Sequence, residues 1–338
     1  MSAIVISMGE LPPAFVREDD VQMVFWRWRN GGLKIYDNCT PGLGNQLFQY
    51  TAGLYFQRRW KGDLALLEPA EEYCQSEGQP RPYQLDKFRI ACPSQKASKY
   101  RRFVQTASTG TALQMARGLV ASTTRSHVIR EKELYRFEGD LSAPSGARSV
   151  YIWGYWQAWQ YAAAVEDEVR RDLTLNDAAT GKNLDYLKLI QDSRNTVSVH
   201  LRRGDYTVFT TGSGEKKRGL VLDDIYYRRA LEYLREQLGD LTLVVFSDDQ
   251  AFARQAIVEP DTIYVEGNGA LTAYEDLRLM AACEHHIIAN STFSWWGAWL
   301  NGNEHKLVVA PKYWTNQENS YFPDLFPPNW KLIDNIDL

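Results

Sequence analysis

From Leu33 onward, short apolar runs alternate with longer stretches of helical period, whereas residues 1–31 carry no clear period. The runs predict strands at Leu33–Asp37, Asp63–Leu67, Ser149–Tyr155, Thr196–Leu201, Leu241–Ser247, Ile263–Val265, His286–Ala289 and Lys306–Ala310. Helical spacing predicts helices at about Gln46–Trp60, Trp156–Leu173, Gly181–Asp192, Asp224–Leu238, Asp249–Ala256, Ala273–Ala282 and Ser294–Leu300. Leu47, Tyr50, Leu54 and Phe56 form the stripe of the first helix, and Thr272 with Glu275 forms a capping box before another. Residues 68–95, with Pro69, Pro80, Pro82 and Pro93, read as loop. Strands alternating with helices imply parallel sheets covered by helices on both faces. The expected organisation is an extension at 1–31, one α/β domain at 32–192 and a second at 193–338.

Composition narrows the class. A chain of 338 residues, 44% hydrophobic, has room for two domains with real cores. A net charge of −4 argues against a protein that grips nucleic acid. Four scattered cysteines without C-x-x-C spacing make a zinc site and a disulfide framework unexpected, and favour a reducing, cytoplasmic setting. The sequons Asn38-Cys39-Thr40 and Asn290-Ser291-Thr292 agree, because a glycan on either would block the site proposed below. Polar residues interrupt the long uncharged stretches, so no membrane span is expected, and the first residues lack the basic start of a signal peptide. The segment 96–136 stands apart, with nine lysines and arginines against two acids. It is either a solvated helical face or a patch for anionic lipid or acidic polysaccharide, which allows peripheral membrane contact.

Four segments carry candidate chemistry. His200-Leu201-Arg202-Arg203-Gly204-Asp205 closes a β-branched run, at the strand edge where open α/β sheets bind ligands. It is either a salt-bridge cluster or an anion site. Strand alternation puts His200 and Arg202 on one face and Arg203 on the other, so Arg202 is expected to reach a ligand phosphate. Arg203 is expected to pair internally, with Asp205 as one candidate. In Phe246-Ser247-Asp248-Asp249, an aspartate can accept hydrogen bonds from guanine, ligate a metal, or cap the next helix, which Asp249 opens well. In Asn290-Ser291-Thr292-Phe293-Ser294-Trp295-Trp296-Gly297, hydroxyls and N–H groups at a helix start suit an anion, and Ser294 suits ordinary capping. Trp295, Trp296 and Trp299 read as core. In Gly42-Leu43-Gly44-Asn45-Gln46, glycines permit close backbone approach, and Asn45 and Gln46 suit sugar hydroxyls. Leu47 stands where a dinucleotide fingerprint needs its third glycine, and no Gly-Lys-Ser/Thr follows.

Together, in this order, the four segments resemble the GDP-fucose-dependent fucosyltransferases, most closely the α-1,2-fucosyltransferases of glycosyltransferase family 11 type. Gly154-Tyr155-Trp156-Gln157 also looks like an element of that family, and the similarity covers about residues 33–314. The resemblance implies a GT-B-like α/β fold, two Rossmann-like domains with a cleft between them. It implies GDP-fucose bound by the second domain, an acceptor on the first, inversion, and no cofactor or required metal. By position, Arg202 would hold the β-phosphate. His200 and Asp248 or Asp249 would contact guanosine, and Ser291 and Thr292 phosphate or ribose. Asn45 would face the transferred sugar or the acceptor hydroxyl. Arg203, Asn290, Gly42, Gly44 and Gln46 complete the expected donor-side set, and Asp205 is a candidate base. The expected reaction is fucosyl transfer to the 2-hydroxyl of a terminal galactose on a bacterial surface glycan. Other linkages (α-1,6 or protein O-fucosylation), a metal-dependent transferase using Asp248 and Asp249, and a non-catalytic carbohydrate-binding protein are the alternatives.

Overall fold

A computed structural model describes residues 32–69, 74–76, 79–96, 125–203, 208–210, 216–218, 221–315 and 320–336. The extension at 1–31, residues 97–124 of the basic segment, and Gly204 and Asp205 lie outside the described residues.

The first sheet is parallel. It contains β1 (Lys34–Asn38), β2 (Asp63–Glu68), β3 (Ser94–Lys96), β4 (Ser126–Arg130) and β5 (Ser149–Trp153), in the spatial order β3-β2-β1-β5-β4. Helix α1 (Leu43–Trp60) covers one face. Its first three turns are buried on nearly every side, because the second sheet's helices close on them: Phe48 lies 4.5 Å from Trp295 and 5.1 Å from Trp296, ring to ring. After β5 come α2 (Trp159–Ala164) and α3 (Glu166–Asp172). Among the described residues, the opposite face carries only a small cluster of Tyr36, Ala65, Leu67 and Tyr151.

The second sheet is also parallel. Helix α4 (Gly181–Asp192) leads into β6 (Thr196–Leu201), whose every residue is buried. There follow α5 (Asp224–Leu238), β7 (Thr242–Ser247), α6 (Gln250–Ala256), β8 (Ile263–Tyr264), α7 (Ala273–Ala282), β9 (His285–Ile287), α8 (Thr292–Leu300), β10 (Val308–Pro311) and β11 (Lys331–Ile333). The spatial order is β8-β7-β6-β9-β10-β11. Tyr226, Ala230 and Leu234 of α5 fill one face of this sheet. Leu279 and Met280 of α7, with Ile190 of α4, fill the other. Two helix-flanked parallel sheets joined through α1 and α8 are the GT-B-like architecture the resemblance implies.

Several local expectations are corrected. Strands β3 and β4 lie where loop and the basic segment were read, and β11 was not foreseen. All three are short edge strands, whose pairing comes from neighbours rather than from an apolar run of their own. The helix expected over Trp156–Leu173 begins only at Trp159, because Trp156 adopts the left-handed conformation (φ 55°) that no helix accepts, and it splits into α2 and α3 at Val165, whose φ of −129° leaves the helical region. The Thr272–Glu275 capping box does not form. The Thr272 hydroxyl accepts from the Gly269 N–H (3.0 Å), and Glu275 pairs with Arg278 (2.8 Å). The last site helix is capped by Ser291 rather than Ser294, so α8 starts at Thr292.

Candidate active site

Strand order locates the site. In the second sheet the chain runs β6, β7, β8 to one side, then returns to lay β9, β10 and β11 on the other. In the first, β1, β2 and β3 go one way, and β4 and β5 return to the other side of β1. Each reversal leaves a crevice at the carboxyl edge, between β6 and β9 and between β1 and β5, where loops diverge and ligands fit. The segments His200–Arg203 and Asn290–Thr292 flank the first crevice. Gly42–Gln46 and Gly154–Gln157 flank the second.

At the β6–β9 crevice, His200 is 6% exposed, and its Nδ1 has no hydrogen-bond partner among the described residues. Burial, and secondarily the Arg202 charge, holds its imidazole down to about 3, so it is neutral at physiological pH. Its ring meets the edge of Phe293 at 5.9 Å. Arg202 Nη1 sits 2.7 Å from Asp248 Oδ2, with both side chains about a quarter exposed. Asp248 Oδ1 accepts from the Arg203 backbone N–H at 2.9 Å. Arg203 does pair internally, but with Asp249 (Nε to Oδ2, 3.3 Å), and its guanidinium lies 3.8 Å over the Phe252 ring. Asp249 is the α6 cap, accepting from the Phe252 N–H at 3.0 Å. So Asp248 faces the crevice with Arg202, and Asp249 is tied to the corner of its own helix.

Across the crevice, Ser291 caps α8 by accepting from the Phe293 N–H (3.4 Å), and Asn290, 2% exposed, donates to the Trp314 carbonyl (2.9 Å). Trp295 and Trp296 are fully buried and Trp299 is nearly so, as core.

The two crevices meet at Asn45. Its Oδ1 accepts from Thr292 Oγ1 (3.1 Å) and from Gln157 Nε2 (3.0 Å), and its Nδ2 donates to the Pro41 carbonyl (3.2 Å). One side chain therefore joins both edges of the β1–β5 crevice to the start of α8. The two glycines have distinct reasons. Gly42 precedes α1 at φ 96°, a left-handed backbone that disfavours any side chain. Gly44 is demanded by contact: a Cβ there would lie 2.6 Å from the Phe293 backbone N. The close approach is therefore to the other lobe's backbone. Gln46 is corrected from ligand contact to structural brace. It is fully buried, donates to the Pro82 carbonyl (2.9 Å) and accepts from the Gln84 N–H (3.0 Å).

Two residues escaped the sequence reading. Gln49 spans the β1–β5 crevice, accepting from the Thr40 N–H (2.8 Å) and donating to the Gly154 carbonyl (2.7 Å). A glutamine inside the apolar stripe of α1 was the available signal. Glu131, just past β4, accepts from the N–H groups of Tyr155 (2.7 Å) and Trp156 (3.0 Å). No group of three or more potential metal ligands occurs among the described residues, none of whose helices is long and apolar enough to cross a membrane. All four cysteines are free thiols.

Comparison with known proteins follows the same lines. Residues 136–334 match the family model for glycosyl transferase family 11. The O-antigen biosynthesis glycosyltransferase WbnK of Escherichia coli is 29% identical over 291 residues, 83% of this chain and 94% of that one. An α-1,2-colitosyltransferase of Escherichia coli is 31% identical over 307 residues, 87% of this chain and 96% of that one. Mouse galactoside 2-α-L-fucosyltransferase Sec1 is 30% identical over 185 residues, 53% of this chain and 48% of that one. With two parallel sheets whose switch points join at Asn45, a family match over residues 136–334 and a 31% identical relative covering 87% of the chain, this chain belongs to glycosyl transferase family 11, as a glycosyltransferase of the α-1,2-fucosyltransferase type.

Proposed function

We propose that the protein transfers L-fucose from GDP-β-L-fucose to the 2-hydroxyl of a terminal galactose on a bacterial surface glycan such as O-antigen. The observation that carries this reading is the Asn45–Thr292 contact, which sets the strand ends of one lobe against the anion-suited helix start of the other. The reaction needs that junction, because a nucleotide sugar and a hydroxyl acceptor must meet in one place.

Breaking the fucose–phosphate bond leaves GDP more negative and the sugar with oxocarbenium character. Arg202 exchanges Asp248 for the β-phosphate, and the N-terminus of α8 adds its partial positive charge. These preorganised donors stabilise the leaving group without a metal ion. Asp248, once released, accepts from guanine, and the unpartnered His200 Nδ1 takes a further guanosine contact. Thr292 and Ser291 serve the phosphate and ribose oxygens. Asn45 faces the sugar, the acceptor hydroxyl attacks from the side opposite GDP with inversion, and Asp205 is its base. The first lobe holds the acceptor, and the reaction takes place in the cytoplasm, a compartment that suits four free thiols.

The test is incubation with GDP-fucose and a panel of β-galactosides in EDTA, reading GDP release and product linkage. A 2-linked fucosyl product at an unchanged rate in chelator is expected; no GDP release across the panel would sink the reading. A colitosyl donor is the second reading, favoured by the 31% identical relative that spans most of both chains. The mass of the transferred sugar separates the two.

A further inference from the structure

The turn after β5 is strained and held from outside. Trp156 is fully buried at φ 55°, a conformation that a bulky residue holds only where its surroundings impose it. Glu131 imposes it. Its two carboxylate oxygens each accept one main-chain N–H, from Tyr155 and from Trp156. The Glu131 N–H in turn donates to the Trp153 carbonyl at 2.9 Å, so the residue is tied to the end of β5 on both sides. Gly154 makes the approach possible: a Cβ there would lie 2.5 Å from Glu131 Cβ. The residue after Trp156 is Gln157, whose amide holds Asn45 Oδ1. Tyr155, 40% exposed, stands on the same turn.

We infer that Glu131 is a positioning residue: by clamping Tyr155 and Trp156 it aims Gln157 at Asn45, and so fixes which end of the Asn45 amide faces Thr292 and which faces the reacting sugar. This rests on the reading that Asn45 lies at the reacting centre. The carboxylate form suits the role, since it offers an acceptor to each N–H, whereas the acid turns a donor toward one of them. Burial pushes the Glu131 carboxyl up to about 7. The titratable groups facing it are Glu138, which raises it further, and Tyr161, whose hydroxyl accepts from the Glu138 N–H. The clamp therefore loosens as pH falls through about 7.

Glu131→Gln keeps the size and replaces one acceptor by a donor. The expected result is a fall in kcat of roughly 10- to 100-fold, with KM for GDP-fucose within about twofold of wild type. The variant's kcat should also lose the wild-type decline between pH 8 and 6. Amide hydrogen exchange at Tyr155 and Trp156 reads the clamp without activity. Protection relative to the intrinsic exchange rate at each pH should weaken in the variant at pH 8, and in the wild type on going from pH 8 to 6. Unchanged protection in both comparisons, or weaker protection with unchanged kcat, overturns the inference. GDP binding to both proteins separates the two ideas. A wild type that exchanges as expected but binds no GDP sinks the fucosyl-transfer reading and leaves the clamp standing. If Glu131→Gln does not fold, the wild-type exchange comparison across pH decides the matter alone.

Discussion

Gly44 and Thr292 meet so closely that a Cβ on Gly44 would stand 2.6 Å from Thr292 Oγ1. The two residues lie in the first turns of α1 and α8, and Asn45, next to Gly44, accepts from Thr292 across 247 positions of chain. The glycine of the Gly-Leu-Gly-Asn-Gln turn thus lets two helix starts touch, one from each lobe. Gly44→Ala should cost about 1–3 kcal/mol by overpacking against backbone that cannot swing away. A lower Tm is expected, with a loss of kcat larger than that of Asn45→Ala only if the lobes separate; small-angle scattering reads that separation.

The two arginines after β6 should behave differently. Arg202→Ala removes the crevice cation and should lower kcat/KM by about 10²–10³ while leaving the Tm little changed. Arg203 stacks on Phe252 and pairs with Asp249, so Arg203→Ala should instead lower stability by about 1 kcal/mol through the α6 corner. Paired kinetics and thermal melts check both, and a purely structural Arg202 would reverse the pattern.

Asp37 lies fully buried on β1, and neither oxygen has a hydrogen-bond partner among the described residues. Burial holds its carboxyl well above the usual range, so the folded state keeps a proton that the unfolded chain has lost. That stabilisation is present in full below the unfolded pKa and drains away as pH rises toward the folded one, by about 1.4 kcal/mol per unit. Asp37→Asn should match wild type near pH 4 and exceed it at pH 8. Denaturant melts across that range test the sign.

Deep in the second lobe, Ser198 Oγ and Asn301 Nδ2 each lie 2.7 Å from a ring nitrogen of His286, which is fully buried. Ser198→Ala should cost about 1–3 kcal/mol by leaving Nδ1 unsatisfied, with unaltered kinetics. Burial holds the imidazole well below its ordinary value, so its contribution is intact above the unfolded histidine pKa and declines as the medium becomes more acidic. Urea midpoints at pH 7 and pH 5, taken in the Asp37→Asn background, measure that decline, and a flat profile there would contradict it.

Periodicity alone determined the fold class, the order of strands and helices, the tryptophans of α8 as core and Asp249 as a cap, because each depends on neighbours a few positions away. It also placed the chemical segments at strand ends. It was silent on β3, β4 and β11, whose hydrogen bonds are supplied by partners distant in the chain. It misread Gln46, because a buried brace and a ligand contact call for the same amide and differ only in what stands opposite, here the backbone of residues 82–84. Tertiary structure decided that Asn45 meets both Gln157 and Thr292, that Arg202 shares Asp248 while Arg203 takes Asp249, and that Glu131 reaches the turn after β5. These are contacts across crossovers and between lobes, fixed by strand order and packing, and no local pattern of hydrophobic and polar residues encodes them.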